Sequence, residues 1–510
     1  MTHLRTTALV ALGLLWGAPA LAGGGSGGGD PMIWPGSAEE ATPLPFKTHF
    51  KSLARYDDLG AIQLDDTGLL HAQDGALTTR FHVGASYETD LIGGWFKAAL
   101  EYEQDFMDGI VHGGSDNATD GLFLPGTEGH AKSHLRRAFA KAHLAYVATL
   151  AGGVSMSHWG LGLLANDGDH GWTPGSAQVG APTRGDNVLR ALFATGPWPQ
   201  AANLLLFGAY DKILEDDVQL DGDETEQIVG GLMVGGRELP WVAGLYGVYR
   251  MTEAEDGDTS TAIVVDGYGK YQMAVGDGMA FTVAAEVAGI FGETDLLATP
   301  SHETHQLTQV GAIVRAELAA GNYGGVLDLL YASGDQNFDD DTVHAFRVDR
   351  NFEMGMLLFR QVIAAQSART PIRASDPDLV GEPADDLDRI PTRGNITNTI
   401  AFFPRLWYRP TAGIELYGGG LVAMAAVPYA DPYQTRLNGG ELRNSFNAPA
   451  DIYYGTEFDL GARMTGLLWG MEVGLGIEGA VFVPGNAFDD ADGGSMDPIY
   501  GMRGTVTHAF

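Results

Sequence analysis

The residues best suited to acid–base chemistry stand together in one short segment. Asp167, Asp169 and His170 lie within NDGDHG at 166–171, and a carboxylate beside an imidazole raises its basicity enough to activate water. The same residue types are ordinary turn formers in a Gly-rich loop, which is the interpretation that we favour. The sequence has no HExxH pair, no Walker loop and no Cys. We therefore predict no enzymatic activity, no catalytic residue and no cofactor.

Two acidic runs have the chemistry to hold a hard cation. Residues 221–223 read DGD and residues 335–341 read DQNFDDD, and clustered carboxylate oxygens suit calcium. Neither run has the spacing of an EF-hand loop, and solvated loops explain both. We predict no metal site, and calcium at these loops stays an open alternative.

Charged side chains at every second position are the third group of chemical interest. Charge on the non-lipid face of a membrane strand must meet water or be paired. We predict that these residues line an aqueous lumen, where they contact solute or pair with one another to hold the wall rigid. The predicted pore-lining residues are Arg80, His82, Lys97, Glu101, Glu103, Arg137, Lys141, Arg315, Glu317, Glu457, Arg463 and Glu472.

The elements that position these charges are β-strands. Apolar and polar residues alternate strictly over 76–88, 94–106, 135–148, 306–319 and 453–465, and this is the period of a strand. In segment 453–465 and the segment that follows it, we assign five residues to the apolar, outward face: Tyr454, Phe458, Leu460, Met464 and Trp469. Less regular segments, among them 354–363 and 396–408, bring the total to about 18 strands, within a range of about 16 to 20.

Two further segments are candidate strands. Residues 46–56 fit an additional first strand, and residues 344–349 fit a partner for 354–363. Tight connections are predicted at 152–153, 276–278 and 321–322, where Gly suits a hairpin. Long acidic loops are predicted at 216–226, 253–259, 333–342, 375–389 and 484–497. Short turns at one rim and long loops at the other are typical of an outer-membrane barrel.

The N-terminus predicts export. His3 and Arg5 precede the apolar run 8–16 and a small-x-small cleavage site at 20–22, so residues 1–22 fit a signal peptide. Residues 23–45 are a Gly/Pro-rich flexible segment, and residues 46–510 are assigned to the barrel. The sequence contains no apolar run of about 18 residues, which excludes a helical membrane protein.

Charge sets limits on the partners. The chain has 65 Asp and Glu against 30 Lys and Arg, a net charge of -35, and such acidity disfavours nucleic acid. The excess lies mostly in the predicted loops, where carboxylates can meet divalent cations at a lipopolysaccharide surface. The expected partners are therefore outer-membrane lipid and lipopolysaccharide, the barrel assembly machinery and a small hydrophilic solute.

A soluble β-sandwich or β-helix would also give alternating strands. Strands of ten or more residues exceed the usual five or six of soluble sheets, however, and they fit a tilted bilayer crossing. Aromatic residues near strand ends fit interfacial girdles. The chain also stops at Phe510 on a strand whose outward face carries Tyr500, Met502 and Val506, which resembles the assembly signal of outer-membrane barrels. The predicted fold is all-β: a single transmembrane antiparallel barrel.

Three segments carry a family resemblance. Residues 331–337 (YASGDQN) resemble the strand-and-loop signature of alginate-export-type porins, and residues 77–80 and 102–105 are of the same general type. The resemblance implies an 18-stranded monomeric barrel with a charged pore for anionic polysaccharide. Residues 157–162 (SHWGLG) resemble a Trp-Gly-rich stretch of porins of unassigned substrate.

The leading functional hypothesis is an outer-membrane channel for passive or solute-selective diffusion of small hydrophilic or charged solutes. It rests on the size of the barrel, because about 18 strands leave an aqueous lumen unless loops fill it. Anionic saccharide is one candidate solute. Two alternatives stay open. One is a plugged structural or surface-binding barrel whose acidic loops contact a partner, and the other is a barrel-borne hydrolase.

Overall fold

The computed structural model describes residues 46–93, 95–112, 132–145, 147–168, 175, 185–220, 222–236, 239–276, 278–299, 301–337, 340–381 and 387–510. The predicted signal peptide and Gly/Pro-rich segment, together with Asp169, His170 and part of each acidic run, lie outside these residues. The description below concerns the part of the chain from Phe46 onward.

The described residues form long strands that pair with their neighbours in chain order. Their bounds are β1 (Phe46–Gln63), β2 (Leu70–Asp90), β3 (Phe96–His112), β4 (Lys132–Leu144), β5 (Ala148–Met156), β6 (Asn187–Trp198), β7 (Leu204–Glu215), β8 (Glu224–Gly235), β9 (Trp241–Glu253), β10 (Thr259–Ala274), β11 (Met279–Thr294), β12 (His305–Ala320), β13 (Tyr323–Ala332), the two-residue β14 (Thr342–Val343), β15 (Thr399–Thr411), β16 (Ile414–Met424), β17 (Tyr453–Leu468), β18 (Met471–Pro484) and β19 (Ile499–Ala509).

The sheet closes on itself. Each long strand is antiparallel to the next, β13 pairs with β15 across the longest connection, and β19 pairs with β1. Only β14 stands aside, as a short parallel addition to β12. The chain is therefore a closed antiparallel barrel of 18 strands, and both the predicted fold class and the predicted strand number are confirmed.

The alternation of side chains explains why this sheet sits in a membrane. Along β15, Ile400, Phe402 and Leu406 point outward and are exposed, whereas Phe403 and Arg405 point inward and are buried. A soluble protein does not present a wall of aliphatic and aromatic side chains to water. Because the polar residues face inward and the apolar ones outward, the outer surface matches the hydrocarbon layer. Among the described residues, no helix is long and apolar enough to cross a membrane.

The two rims differ as predicted. One rim holds the beginning of β1 and the end of β19, and the connections at this rim are short, such as 321–322, 412–413 and 469–470. The opposite rim carries the 333–398 connection between β13 and β15. The hairpin expected at 152–153 is wrong, because these residues lie inside β5, which begins at Ala148 and pairs with β4.

One long segment departs from the strand prediction. Residues 354–363 are not a strand: Leu358–Ile363 form a π-helix that continues into the helix α1 (Ala364–Ala374), and residues 344–349 do not pair with them. The run MGMLLFRQVIAA is almost entirely apolar, and its two adjacent polar residues, Arg360 and Gln361, set no period. Such a run does not distinguish a buried strand from a buried helix. Two short helices follow it, α2 (Pro377–Val380) and α3 (Pro432–Leu437).

The π-helix and α1 lie inside the barrel. Leu357, Leu358 and Val362 are fully or almost fully buried in one apolar cluster with wall residues that include Ile313 and Phe482. The 333–398 connection therefore fills part of the lumen instead of extending away from the rim.

One outward assignment near β17 is wrong, and one residue assigned to a strand lies in a turn. Tyr454 is buried at 1% exposure, because the strand pairing shifts register beside Gly455, whose φ of 130° is accessible mainly to Gly. Trp469 lies in the β17–β18 turn and not on a strand, although it is 89% exposed. The outward positions of Phe458, Leu460 and Met464 are confirmed.

The last residue completes the seam of the barrel. The Phe510 N–H donates to the Phe50 carbonyl at 3.0 Å, the Phe50 N–H donates back at 3.1 Å, and the two rings stack at 5.6 Å. Tyr500, Met502 and Val506 face outward on β19, as predicted. The role of Phe510 as an assembly signal stays a prediction.

The alternation in β10 gives a direct test of the outward face. Val265 lies near the middle of the strand and faces outward, whereas Gln272 faces the lumen. Val265→Arg should destabilise the barrel by about 2–4 kcal/mol because the cation is placed in hydrocarbon, and Gln272→Arg should leave stability almost unchanged. Heat-modifiable gel mobility and membrane yield measure both effects, and equal losses in the two variants would contradict the orientation of β10.

Candidate functional site

Two buried carboxylates on the inner wall, Asp57 and Asp105, each bind two arginines. Asp57 accepts hydrogen bonds from Arg55 at 2.6 Å and from Arg503 at 2.8 Å, and the Arg503 bond joins β1 to β19. Asp105 accepts from Arg80 at 2.7 Å and from Arg136 at 3.2 Å. Because a buried charge is costly unless it is paired and hydrogen-bonded, these clusters hold adjacent strands in one register.

The same arrangement recurs around the wall. Arg190 binds Asp211 through two bonds of 2.7 Å and also donates to Ser157 at 2.8 Å. Arg315 binds Asp328 through bonds of 2.7 and 2.9 Å, and Arg405 donates to the same carboxylate. Planar guanidinium groups fit such two-bond contacts with carboxylates. The arginines named here therefore pair with carboxylates of the same wall.

Two wall glutamates bind backbone instead of basic side chains. Glu457 on β17 accepts the N–H groups of Met356, Leu357 and Leu358, with bonds of 2.8 Å to the latter two. These amides open the π-helix, and the first N–H groups of any helix have no partner within it. The Glu457 carboxylate therefore caps the N-terminus of this segment inside the barrel, and its negative charge also interacts favourably with the helix dipole.

The second glutamate holds a different connection. Glu286 on β11 accepts the N–H groups of Leu161 and Leu163, the latter at 3.1 Å. These amides belong to the 157–168 part of the β5–β6 connection, where the Trp159 indole also donates to Asp266 at 3.0 Å. Both infolded connections are thus fixed to the wall by carboxylates.

The infolded connections are also fixed to each other. Asp349 accepts the Asn166 N–H at 2.9 Å and the Asn351 N–H at 2.8 Å, which joins the β5–β6 and β13–β15 connections. Burial, and then the nearby Asp217 carboxylate, raise the pKa of Asp349 well above its usual range. Arg347 donates to the Arg389 and Pro391 carbonyls, and burial lowers its pKa to about 10.

Charged side chains are more exposed toward the short-turn rim. Lys141 binds Glu101 at 2.7 Å, and the two side chains are 31% and 18% exposed. Elsewhere on the wall, the half-buried Lys270 and Arg463 face the lumen in the parts of β10 and β17 that are nearer the short-turn rim. The inner wall thus combines a paired, buried zone with a zone of accessible charge.

The structure places all twelve predicted pore-lining residues on the inner face. Five are buried, and seven are half-buried or exposed. The buried ones are Arg80, His82, Glu103, Arg137 and Glu457, and the others are Lys97, Glu101, Lys141, Arg315, Glu317, Arg463 and Glu472. Contact with a passing solute stays a prediction for each of them. Sequence reasoning missed the binding of Glu457 to backbone, and it missed Asp57, Asp105, Asp211, Asp328 and Glu286, although each lies on a polar face of a strand.

Some of the earlier candidates are described only in part. The Asp167 carboxylate lies 3.9 Å from the His158 ring, whereas Asp169 and His170 lie outside the described residues. Within the part of the chain that the structure describes, one group could hold a metal ion: His49, His82 and Glu103, whose ligand atoms lie within 4.8 Å of one another.

Comparisons with known proteins support the fold. No protein-family model matches the sequence, and no curated protein matches it. Solved structures do match: OccK9 (OpdG) of Pseudomonas aeruginosa at a TM-score of 0.51 and 11% identity, over 91% of this chain and 97% of that one; and OccAB1 of Acinetobacter baumannii at 0.51 and 11%, over 91% and 96%. OccK11 (OpdR) of P. aeruginosa matches at 0.50 and 11%, over 91% and 96%.

These structures are outer-membrane porins of the OprD/Occ family. At such low identity the similarity concerns the fold, which is that of an outer-membrane porin barrel. The predicted resemblance to porin-like barrels is thereby confirmed.

The capping role of Glu457 can be tested directly. Glu457→Gln keeps the size of the side chain but replaces one acceptor with an NH₂ group, so one helix N–H should lose its partner. Hydrogen bonds to charged groups contribute about 1.5–3 kcal/mol, so amides 356–358 should exchange on the order of 10- to 100-fold faster. Glu472→Gln, an exposed glutamate near the short-turn rim, is the control. Unchanged exchange in Glu457→Gln would show that the carboxylate does not hold this segment.

Proposed function

We propose that this protein is an outer-membrane channel that selects small hydrophilic, charged solutes. The observation that carries the proposal is the position of the accessible charges: they line the inner wall beside segments that fold into the lumen and narrow it. In such a passage a solute loses part of its hydration, and fixed charges at close range act on it more strongly than in bulk water.

The porin fold supports the same conclusion. A barrel of 18 strands is wide enough to leave an aqueous path unless segments fill it completely, and the infolded 333–398 connection leaves Lys141, Arg315 and Arg463 partly exposed. Outer-membrane lipid, lipopolysaccharide and the barrel assembly machinery are the proposed partners of such a barrel.

Negatively charged solutes are the finer proposal. Lys270, Arg315, Arg409 and Arg463 lie on every second strand of one part of the wall, namely β10, β12, β15 and β17. Arg409 also lies 4.3 Å over the Trp407 ring. Glu317, Glu415 and Glu472 lie close to these basic residues, so the sign of the electrostatic potential varies along this wall. Anionic saccharide fits the basic side of this wall and the resemblance to alginate-export-type porins.

A plugged barrel is the second candidate, and a specific observation favours it. The apolar cluster around Leu357 and Val362 packs against wall residues from β1, β12, β15, β16 and β18. An apolar contact to so many strands can close a lumen as well as narrow it. A barrel-borne hydrolase built on Asp167, Asp169 and His170 has no such support, because two of its residues lie outside the described structure.

Planar-bilayer recording separates these candidates. Purified protein should give stable single-channel current steps, and a correctly folded but silent barrel would favour the plugged alternative. Lys270→Gln should shift the zero-current potential in a salt gradient toward cation preference, because it removes a lumen cation. Lys212→Gln is the matched control, since Lys212 lies on the outer face of β7 and pairs with Glu224 at 3.1 Å. A shift of equal size in both variants would contradict the assignment of Lys270 to the conducting path.

A further inference from the structure

Three inner-wall side chains from successive strands converge on one point. His49 on β1, His82 on β2 and Glu103 on β3 place the two imidazole Nε2 atoms 3.3 Å apart. A Glu103 carboxylate oxygen lies 3.6 Å from His49 Nε2, and the other lies 3.4 Å from His82 Nε2. One nitrogen from each histidine and one Glu103 oxygen lie within 4.8 Å of one another, so the three residues form a compact, roughly triangular group of donors.

The size of this triangle matches metal coordination. Zinc binds His nitrogen and carboxylate oxygen at about 2.0–2.2 Å, and in a tetrahedron this places neighbouring ligand atoms about 3.3–3.6 Å apart. Two imidazoles and one carboxylate are also a common catalytic-type donor set with one position left open. The contacts of 3.3, 3.4 and 3.6 Å fall in this range, although the two Glu103 contacts use different carboxylate oxygens, and one donor atom from each residue lies within 4.8 Å of the others.

A glycine makes the convergence possible. In the sheet register His49 lies opposite Gly84, and Gly84 lies opposite Glu103. A Cβ atom on Gly84 would overlap the Cε1 and Nε2 atoms of His49. The His49 ring therefore crosses β2 in the space that Gly84 leaves, and only through this gap does it reach the Glu103 carboxylate.

The surroundings orient the donors. His82 and Glu103 side chains are 5% and 6% exposed, whereas His49 is 23% exposed, so the group opens toward the lumen on the His49 side. The other ring nitrogen of His82 lies 3.8 Å from the Asp105 carboxylate, which is beyond hydrogen-bond distance but close enough for electrostatic attraction when the imidazole carries a positive charge or a metal. The Glu103 Oε2 atom is buried and accepts no hydrogen bond from the described residues.

We propose that His49, His82 and Glu103 bind one divalent transition-metal ion of the zinc type, with its fourth position open to the lumen. The Arg137 guanidinium, 3.2 Å from Glu103, competes for the carboxylate and lowers the affinity. Binding of the ion would place two positive charges on the inner wall between β1 and β3, near the short-turn end of β1.

Metal titration of the purified, untagged barrel tests this site. Isothermal titration with Zn²⁺ and the visible absorption of bound Co²⁺ should show one strong site with tetrahedral character. His82→Ala and His49→Ala should each weaken binding on the order of 100-fold, because each removes a ligand. His143→Ala is the control: this histidine also faces the lumen but binds Thr149 at 2.9 Å, and its loss should leave the affinity unchanged.

Two further variants give results that a simple loss of folding cannot imitate. Gly84→Ala keeps all three ligands but fills the space under His49, so it should abolish the site while heat-modifiable mobility stays normal. Arg137→Gln should tighten binding several-fold, because it removes the nearer of the two arginines beside Glu103; the other, Arg136, lies 3.8 Å from this carboxylate. Absence of a stoichiometric site in the wild type, or equal affinity in wild type and Gly84→Ala, would overturn the proposal.

These measurements do not depend on ion conduction. A barrel that binds zinc but conducts no ions would contradict the channel function and support the metal site. A barrel that conducts ions but binds no zinc would contradict the metal site and support the channel function.

Discussion

Everything inside the barrel depends on how buried polar groups find partners away from bulk water. A closed sheet satisfies the backbone of the wall, but a connection that folds into the lumen carries N–H groups that no strand can pair. Glu286 and Glu457 meet this need, because each binds two or more closely spaced amides of an infolded connection. The paired clusters around Asp57, Asp105 and Asp328 then keep the wall on which these glutamates stand in a fixed register.

The result is a wall with two kinds of acidic residue. Some carboxylates neutralise arginines between neighbouring strands, and others bind backbone from the interior. From the sequence we expect most of the acidic excess to lie in solvated loops, yet the residues that organise the lumen are acidic as well. The apolar cluster around Leu357 follows from this arrangement, because it packs in the space that the bound connections enclose.

The sequence predicts the wall far better than the interior. Strict alternation in segments such as β3 is a local signal, and it correctly assigned Leu100 and Tyr102 to the outside and Glu103 to the inside. The 354–363 run is apolar apart from the adjacent Arg360 and Gln361, so no period reveals that it is helical and enclosed. The partners of Glu457 and the meeting of His49 with Glu103 depend on strand register and on a missing side chain at Gly84, which alternation does not encode. Tyr454 shows the same limit, because a single irregularity beside Gly455 reverses the face.

The seam between β1 and β19 has a consequence for how the chain acquires its structure. The Asp57–Arg503 pair joins residues 446 positions apart, and Glu457 meets Leu357 across 100 positions. Folding slows as contacts become more distant along the chain, because the entropy of closing such large loops is lost before the contacts compensate for it. The first strand must therefore wait, with one edge unpaired, until the last strand has been synthesised and delivered. The interior connection can be locked only after β17 is in place, so the narrowing of the lumen is a late event that follows construction of most of the wall.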